Sequence, residues 1–129
     1  MQRDTAQRRA IRDVLLAANR PMSPQELLED ARSRVPNMGI ATVYRTVKGL
    51  TELGWLVTVE LPGEPQRYEV SGKGHHHHFS CNACGRVFEI HGCPSEMDKM
   101  LPKGFHMESH EVILYGRCDD CNQSRKQRG

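Results

Sequence analysis

Two Cys-x-x-Cys pairs, Cys81 with Cys84 and Cys118 with Cys121, constrain this chain more than any other feature. Two thiolate pairs on separated turns can close a tetrahedron around Zn²⁺, a d¹⁰ ion that accepts four sulfurs and demands no open position. The pairs lie farther apart than in compact zinc ribbons, so an ion held by all four pins the end of the chain to a strand turn in the same domain. Structural zinc contributes about 10–16 kcal/mol in small peptides, enough to hold together a half-chain with little core. A redox Cys-x-x-Cys needs one pair at a helix N-terminus; two pairs are better explained by metal. The cysteine count is five, an odd number that speaks against a secreted disulfide framework. The fifth, Cys93, reads as a simple thiol at a helix start.

Size and composition sharpen the need for that ion. A chain of 129 residues, 37% hydrophobic and 5% aromatic, has room for one ordinary domain or two very small ones. Small units bury too little surface to be stable alone, so metal or a partner subunit has to help. The longest apolar run, Val14 to Ala18, falls far short of the roughly 20 residues of a membrane helix. With no signal-peptide core near the N-terminus, the expected compartment is the cytoplasm. The 18 basic and 16 acidic residues leave a net charge of +2, so nucleic acid cannot be bound by bulk charge, and any DNA contact has to come from a local patch. The positive excess lies in the first half, with 11 basic and 9 acidic residues up to Gly74.

Apolar positions at Ala10, Ile11, Val14, Leu15 and Ala18 predict an amphipathic helix over 5–19, with Asp4 as its N-cap. Ser23 and Glu26 have capping-box spacing and open a second helix to about Arg34, burying Leu27, Leu28 and Ala31. Pro36, Asn37 and Gly39 break the chain. A third helix runs from Ile40 to Leu53, with Val43, Val47 and Leu50 inward and Gly54 as its stop. Trp55 to Leu61 and Gln66 to Val70 flank Pro62-Gly63-Glu64-Pro65 and predict a hairpin. Three short helices and a hairpin give the order of a winged helix-turn-helix. Ser71-Gly72-Lys73-Gly74 is a flexible break, after which strands are expected at 75–80, 86–90 and 111–117, with a short helix from Pro94 to Leu101. The basic tail Arg125, Lys126 and Arg128 is expected to be disordered. The expected organisation is a winged helix over 1–70, a hinge over 71–74 and a metal-binding domain over 75–129, an α+β chain.

The run His75-His76-His77-His78 stands three residues before the first zinc pair, away from either terminus where a tag would sit. Successive side chains on a strand alternate faces, so His76 and His78 point one way, His75 and His77 the other. Each face offers two imidazoles, and one segment can seed two metal sites if carboxylates meet it. Glu69 and Glu89 are candidates for the first site, Glu96 and His110 for the second. Mixed nitrogen and oxygen donors suit Fe²⁺, Mn²⁺, Zn²⁺ or Co²⁺. On the third helix, the face opposite Val43 and Val47 shows Thr42, Tyr44, Arg45 and Lys48, with no acid until Glu52. A major groove admits one helix with small and hydroxyl groups near the bases and basic groups near phosphates.

These features together resemble the ferric uptake regulator (Fur) family of bacterial metal-sensing repressors. The resemblance covers nearly the whole chain: Ala41-Thr42-Val43-Tyr44-Arg45, Arg67-Tyr68-Glu69, the four histidines before Cys81, and His110 eight residues before Cys118. It implies an N-terminal winged helix joined by a hinge to a C-terminal α/β dimerisation domain, and a homodimer that binds palindromic double-stranded operator DNA when loaded with metal. It implies structural zinc at Cys81, Cys84, Cys118 and Cys121, a hinge sensing site of Glu69, His76, His78 and Glu89, and a further site of His75, His77, Glu96 and His110. The family often supplies a histidine to the hinge site from just before the second helix, where this chain reads Arg20-Pro21-Met22. Peroxide-sensing members typically carry aspartates where this chain has Glu69 and Glu89, and zinc-sensing members often place a cysteine where Tyr68 to Gly72 offers none. Both departures favour Fe²⁺ as the regulatory ion, with Zn²⁺ and Mn²⁺ as the other candidates, and a zinc-sensing or peroxide-sensing member of the same family is the alternative. An enzyme is not expected, because a metal-dependent hydrolase needs an open coordination position beside a base and a pocket for a small organic substrate. A zinc-stabilised interaction or RNA-binding module is the rival from a different class.

Overall fold

The computed structural model describes residues 5–128, and the side chains of 5–123, and the chain divides after Lys73 into two units. In the first, Thr5 rather than Asp4 caps helix α1 (Ala6–Ala18), its hydroxyl accepting from the Arg8 N–H at 3.1 Å. Asp4 lies outside the described residues. The helix ends on Asn19, whose left-handed backbone (φ 52°) lets its N–H return to the Leu15 carbonyl. Helix α2 (Pro24–Ala31) has the reciprocal cap its spacing predicts: Glu26 N–H donates to Ser23 Oγ at 3.2 Å, and Ser23 N–H to Glu26 Oε1 at 3.1 Å. It stops short of the expected Arg34 because its end tightens into three-residue turns, with Arg34 N–H on the Ala31 carbonyl and Ser33 Oγ on that of Asp30.

Helix α3 (Ile40–Glu52) completes the trio. The core joins Ile11 and Leu15 of α1, Leu27 and Ala31 of α2, and Val43, Val47 and Leu50 of α3, all essentially inaccessible to water. Each such aliphatic side chain stabilises by about 1.5–3 kcal/mol relative to exposure. Strands β1 (Leu56–Val59) and β2 (Arg67–Val70) pair antiparallel, Leu56 opposite Val70 and Val59 opposite Arg67. Both are shorter than expected, because a turn from the Leu61 carbonyl to the Glu64 N–H ends the pairing early. Met22 exchanges two backbone hydrogen bonds with Tyr68, each 2.9 Å, and so adds a one-residue third rung to the hairpin. Replacing Ser23 by Ala is expected to cost the first unit about 1 kcal/mol, the usual worth of an N-cap, read as a lower midpoint in urea with unchanged slope.

The second unit is a three-stranded sheet in the order β4-β3-β5, made of β3 (His77–Cys81), β4 (Val87–Ile90) and β5 (Ile113–Gly116). β4 runs antiparallel to β3, and β5 parallel to it. The strand expected to start at His75 starts at His77, since Gly74 turns with φ 75° and the β5 partner row begins only at Ile113. The expected helix from Pro94 to Leu101 is a 3-10 turn over Met97–Met100, its Leu101 N–H closing on the Asp98 carbonyl, and Pro102 bars its extension. The tail expected to be disordered is the end of helix α4 (Asp119–Arg128). Asp119 and Asp120 in its first turn complement the positive end of the helix dipole, and Gln123 Nε2 bonds back to Asp119 Oδ1 at 2.8 Å.

Among the described residues, the buried apolar side chains of this unit are Val87 and two cysteines, Cys81 and Cys118. A sheet with so small a core needs another source of stability. No helix of the described residues is long and apolar enough to cross a membrane.

Candidate metal centres

Sheet topology gathers the metal-ligating residue types at opposite ends of β3. At its C-terminal end, the turn after Cys81 carries Cys84. The parallel register, Cys81 opposite Gly116, delivers Cys118 and the first turn of α4, with Cys121, to the same place. Gly116 leaves room for the Phe79 ring, which a Cβ there would approach to 3.3 Å. The four Sγ atoms lie within 4.8 Å of one another, and Cys84 Sγ is 3.8 Å from Cys118 Sγ. Zn–S bonds of about 2.3 Å arranged tetrahedrally place sulfurs about 3.8 Å apart, so the donor set fits Zn²⁺.

The surroundings favour thiolates. Backbone N–H groups of Cys84 and Cys118 donate to Cys81 Sγ at 3.4 and 3.3 Å and lower its pKa to about 5. Burial opposes ionisation of Cys84, but Arg86, whose Nε donates to its sulfur at 3.1 Å, brings that thiol below its ordinary value. Cys121 is pushed up to about 12, first by its hydrogen bond with Cys118 and then by burial. A fourth negative sulfur is disfavoured among the others until a dication balances them.

The N-terminal end of β3 holds the histidines, and they alternate. On one face the rings of His76 and His78 lie 5.0 Å apart between centroids, and Glu89 on β4 stands opposite His78 in the register. The buried Glu89 carboxylate has the His91 Nε2 at 3.8 Å, and His91 also neighbours the His76 ring. Glu69 is a buried residue of β2, in the first unit.

On the other face, His75 Nε2 lies 3.2 Å from His77 Nε2 and 3.3 Å from His110 Nε2. His77 is buried, and its pKa is lowered, first by that burial and then by repulsion from His75 and His110, which favours the neutral ring. Glu96, expected here, is not among the groups that converge, because its exposed carboxylate pairs with Lys99 at 3.0 Å in the 3-10 segment. Cys93 takes the place instead, its Sγ 2.7 Å from His110 Nε2. His91 and Cys93 were not legible as site residues. The signal for His91 is its place two residues after Glu89, just beyond the end of β4; for Cys93 there is none in the spacing.

Helix α3 presents Tyr44, Arg45 and Lys48 to solvent and Thr42 half-buried at its start, with Arg45 Nη2 donating to Thr42 Oγ1 at 3.2 Å. Its buried stripe of Val43, Val47 and Leu50 fixes that face outward.

The ferric uptake regulator family profile matches residues 2–115 of this chain. The chain belongs to that family. It is 33% identical over 127 residues to the ferric uptake regulation protein of Campylobacter upsaliensis, covering 95% of this chain and 81% of that one. It is 34% identical over 122 residues to the zinc uptake regulation protein of Mycobacterium tuberculosis, covering 92% and 94%. Among solved structures, a zinc-bound manganese uptake regulator matches with a TM-score of 0.76 at 28% identity, covering 91% of each chain. The Helicobacter pylori ferric uptake regulator, whose structure has three functional metal binding sites, matches with a TM-score of 0.66 at 25% identity, covering 93% of this chain and 82% of that one. Family membership accounts for the α+β architecture of a three-helix unit with a hairpin followed by a small sheet.

Proposed function

We propose that this protein is a metal-responsive transcription regulator, not an enzyme, that binds palindromic operator DNA as a homodimer when a divalent ion is held by Glu69, His76, His78 and Glu89. The observation that carries the reading is the approach of the His76 and His78 rings to 5.0 Å, with Glu89 opposite His78 in the β3–β4 register, within a family of regulators. Glu69 lies on β2 of the winged unit, and the other three ligands belong to the sheet unit. An ion that takes all four favours one arrangement of the two units across the 71–74 hinge. A ligand shifts a conformational equilibrium only by its differential affinity for the two states, and this ligand set is complete in one of them.

Two imidazoles and two carboxylates, with no sulfur, are donors suited to Fe²⁺ or Mn²⁺, and Fe²⁺ is the ion we assign to this set. The 34% identity to a zinc uptake regulation protein favours Zn²⁺ as the second reading. The four cysteines would hold a structural Zn²⁺ that stabilises the sheet unit. Met100, Phe105, Leu114 and Tyr115, all exposed and apolar, supply the surface through which a second copy would pack. Helix α3 would enter the major groove, with Arg45 and Lys48 meeting phosphates or base edges beside Thr42 and Tyr44. In a dimer, two such helices reach half-sites only at one spacing, so metal-set hinge geometry controls affinity.

The test is selection from mixed random pools of duplex DNA, single-stranded DNA and RNA with metal-free and with Fe²⁺-, Mn²⁺- or Zn²⁺-loaded protein. A palindrome enriched only with metal supports the reading, and preferential capture of single strands or RNA overturns it. Arg45→Ala is expected to weaken binding to that palindrome by about 1–3 kcal/mol with metal content unchanged, read by fluorescence anisotropy beside metal analysis.

A further inference from the structure

The sequence pairs His75, His77 and His110 with a carboxylate, yet the structure brings a thiol to them. β4 runs antiparallel to β3 and ends at Ile90, opposite His77, so the residues that follow it, including Cys93, return to the end of the sheet where the histidines lie. β5 runs parallel and its pairing begins at Ile113, opposite His78, so His110 just before it arrives at the same end. The two limbs of the 91–112 segment thus close on the face that carries His75 and His77. One ligand atom from each of His75, His77, Cys93 and His110 lies within 4.8 Å of the rest.

The nitrogen spacings from His75 match a filled coordination shell. Zn–N bonds of about 2.0–2.1 Å in a tetrahedron separate nitrogens by about 3.3 Å, and the spacings from His75 Nε2 are 3.2 Å to His77 and 3.3 Å to His110. One sulfur at about 2.3 Å would lie about 3.6 Å from each nitrogen; Cys93 Sγ is 2.7 Å from His110 Nε2 and 3.9 Å from His75 Nε2, values that bracket it. Val112 N–H donates to His77 Nδ1 at 3.0 Å and orients that ring with Nε2 towards the others.

We infer that Cys93, His75, His77 and His110 form a thiolate–imidazole site for a borderline-soft tetrahedral cation, Zn²⁺ or its spectroscopic substitute Co²⁺. A thiolate and three imidazoles favour Zn²⁺ over the harder Fe²⁺ and Mn²⁺, and the pairing of one sulfur with three nitrogens closes the shell without a carboxylate. This chain then holds chemically different sites on the two faces of one strand: nitrogen and oxygen donors at His76, His78 and Glu89, nitrogen and sulfur donors behind them. Glu96 contributes nothing to it. The cluster lies wholly within the sheet unit, so metal binding there survives failure of the DNA-binding reading.

The experiment is a Co²⁺ titration of the full chain with its Cys81, Cys84, Cys118 and Cys121 set already filled by zinc, followed by optical absorption. The wild type is expected to show a near-ultraviolet thiolate-to-cobalt charge-transfer band and the visible bands of tetrahedral Co²⁺, which nitrogen and oxygen donors alone do not give together. Cys93→Ser is expected to abolish the charge-transfer band and to weaken Zn²⁺ binding by more than the roughly 10–100-fold that loss of an outer partner costs. Glu96→Gln is expected to change neither. In the wild type, Zn²⁺ should also shield Cys93 from iodoacetamide, a readout that needs no variant. A charge-transfer band that persists in Cys93→Ser, an affinity that falls with Glu96→Gln instead, or alkylation of Cys93 at the same rate with and without Zn²⁺ would each overturn the assignment.

Discussion

Replacing Cys118 by Ser is expected to release the zinc and unfold the sheet unit while the winged unit stays folded. Cys118 is one of only three buried apolar side chains among the described residues of that unit, the others being Val87 and Cys81, itself a member of the sulfur cluster. Remove the ion and almost no core remains. The winged unit has its own core of α1, α2 and α3 residues, to which the cysteines contribute nothing. Structural zinc contributes about 10–16 kcal/mol, as large as the whole stability of a typical domain at about 5–15 kcal/mol, so one missing thiolate is decisive. Zinc analysis should fall from about one ion per chain at this set to none. Hydrogen exchange should reach β3, β4 and β5 at the rate of an unfolded chain while α1 and α3 stay protected. Exchange protection of the sheet unchanged after zinc loss would contradict the account.

The second large effect lies at the proposed sensing set. His76→Ala or Glu69→Ala is expected to leave zinc at the cysteines and the proposed dimer intact, yet to remove most of the metal-dependent gain in operator affinity. Moving a population from 1:99 to 99:1 takes about 5.5 kcal/mol, and two subunits can share it at about 2.7 kcal/mol each, roughly a hundredfold apiece. Losing one of four ligands is enough to forfeit a coupling of that size. Operator binding with and without added metal, followed for each variant beside size-exclusion chromatography, separates this from a folding defect. A variant that keeps the full metal-dependent gain would remove that residue from the set.

Where local chemistry decides structure, the residues were readable in advance. Ser23 and Glu26 cap α2 through each other, and Val43, Val47 and Leu50 set the buried stripe of α3, because capping and helical periodicity act within four residues. The two cysteine pairs were readable for the same reason, and the expected grouping of His75 with His77 and of His76 with His78 is found although only His77 and His78 lie on β3. What escaped depends on long-range topology. Met22 joins the hairpin through Tyr68, a pairing 46 positions away that no local pattern marks. Glu96 is a carboxylate candidate for the second histidine face and the ligand that the family resemblance implies. Its segment is a 3-10 turn in which Glu96 pairs with Lys99, while the direction of β4 and β5 carries Cys93 to the histidines. The tail reads as disordered by charge, yet its two aspartates at the N-terminal turn support a helix.

The most direct test of metal-controlled DNA binding holds zinc at the cysteines and varies only the ion offered to Glu69, His76, His78 and Glu89. Under anaerobic conditions, the palindrome recovered by selection is titrated with protein free of regulatory metal and again with Fe²⁺ or Mn²⁺ in excess. The account predicts an affinity at least on the order of a hundredfold higher with metal, and a His76→Ala protein that remains on the metal-free curve. Superimposed curves for the metal-free and metal-loaded wild type would contradict it.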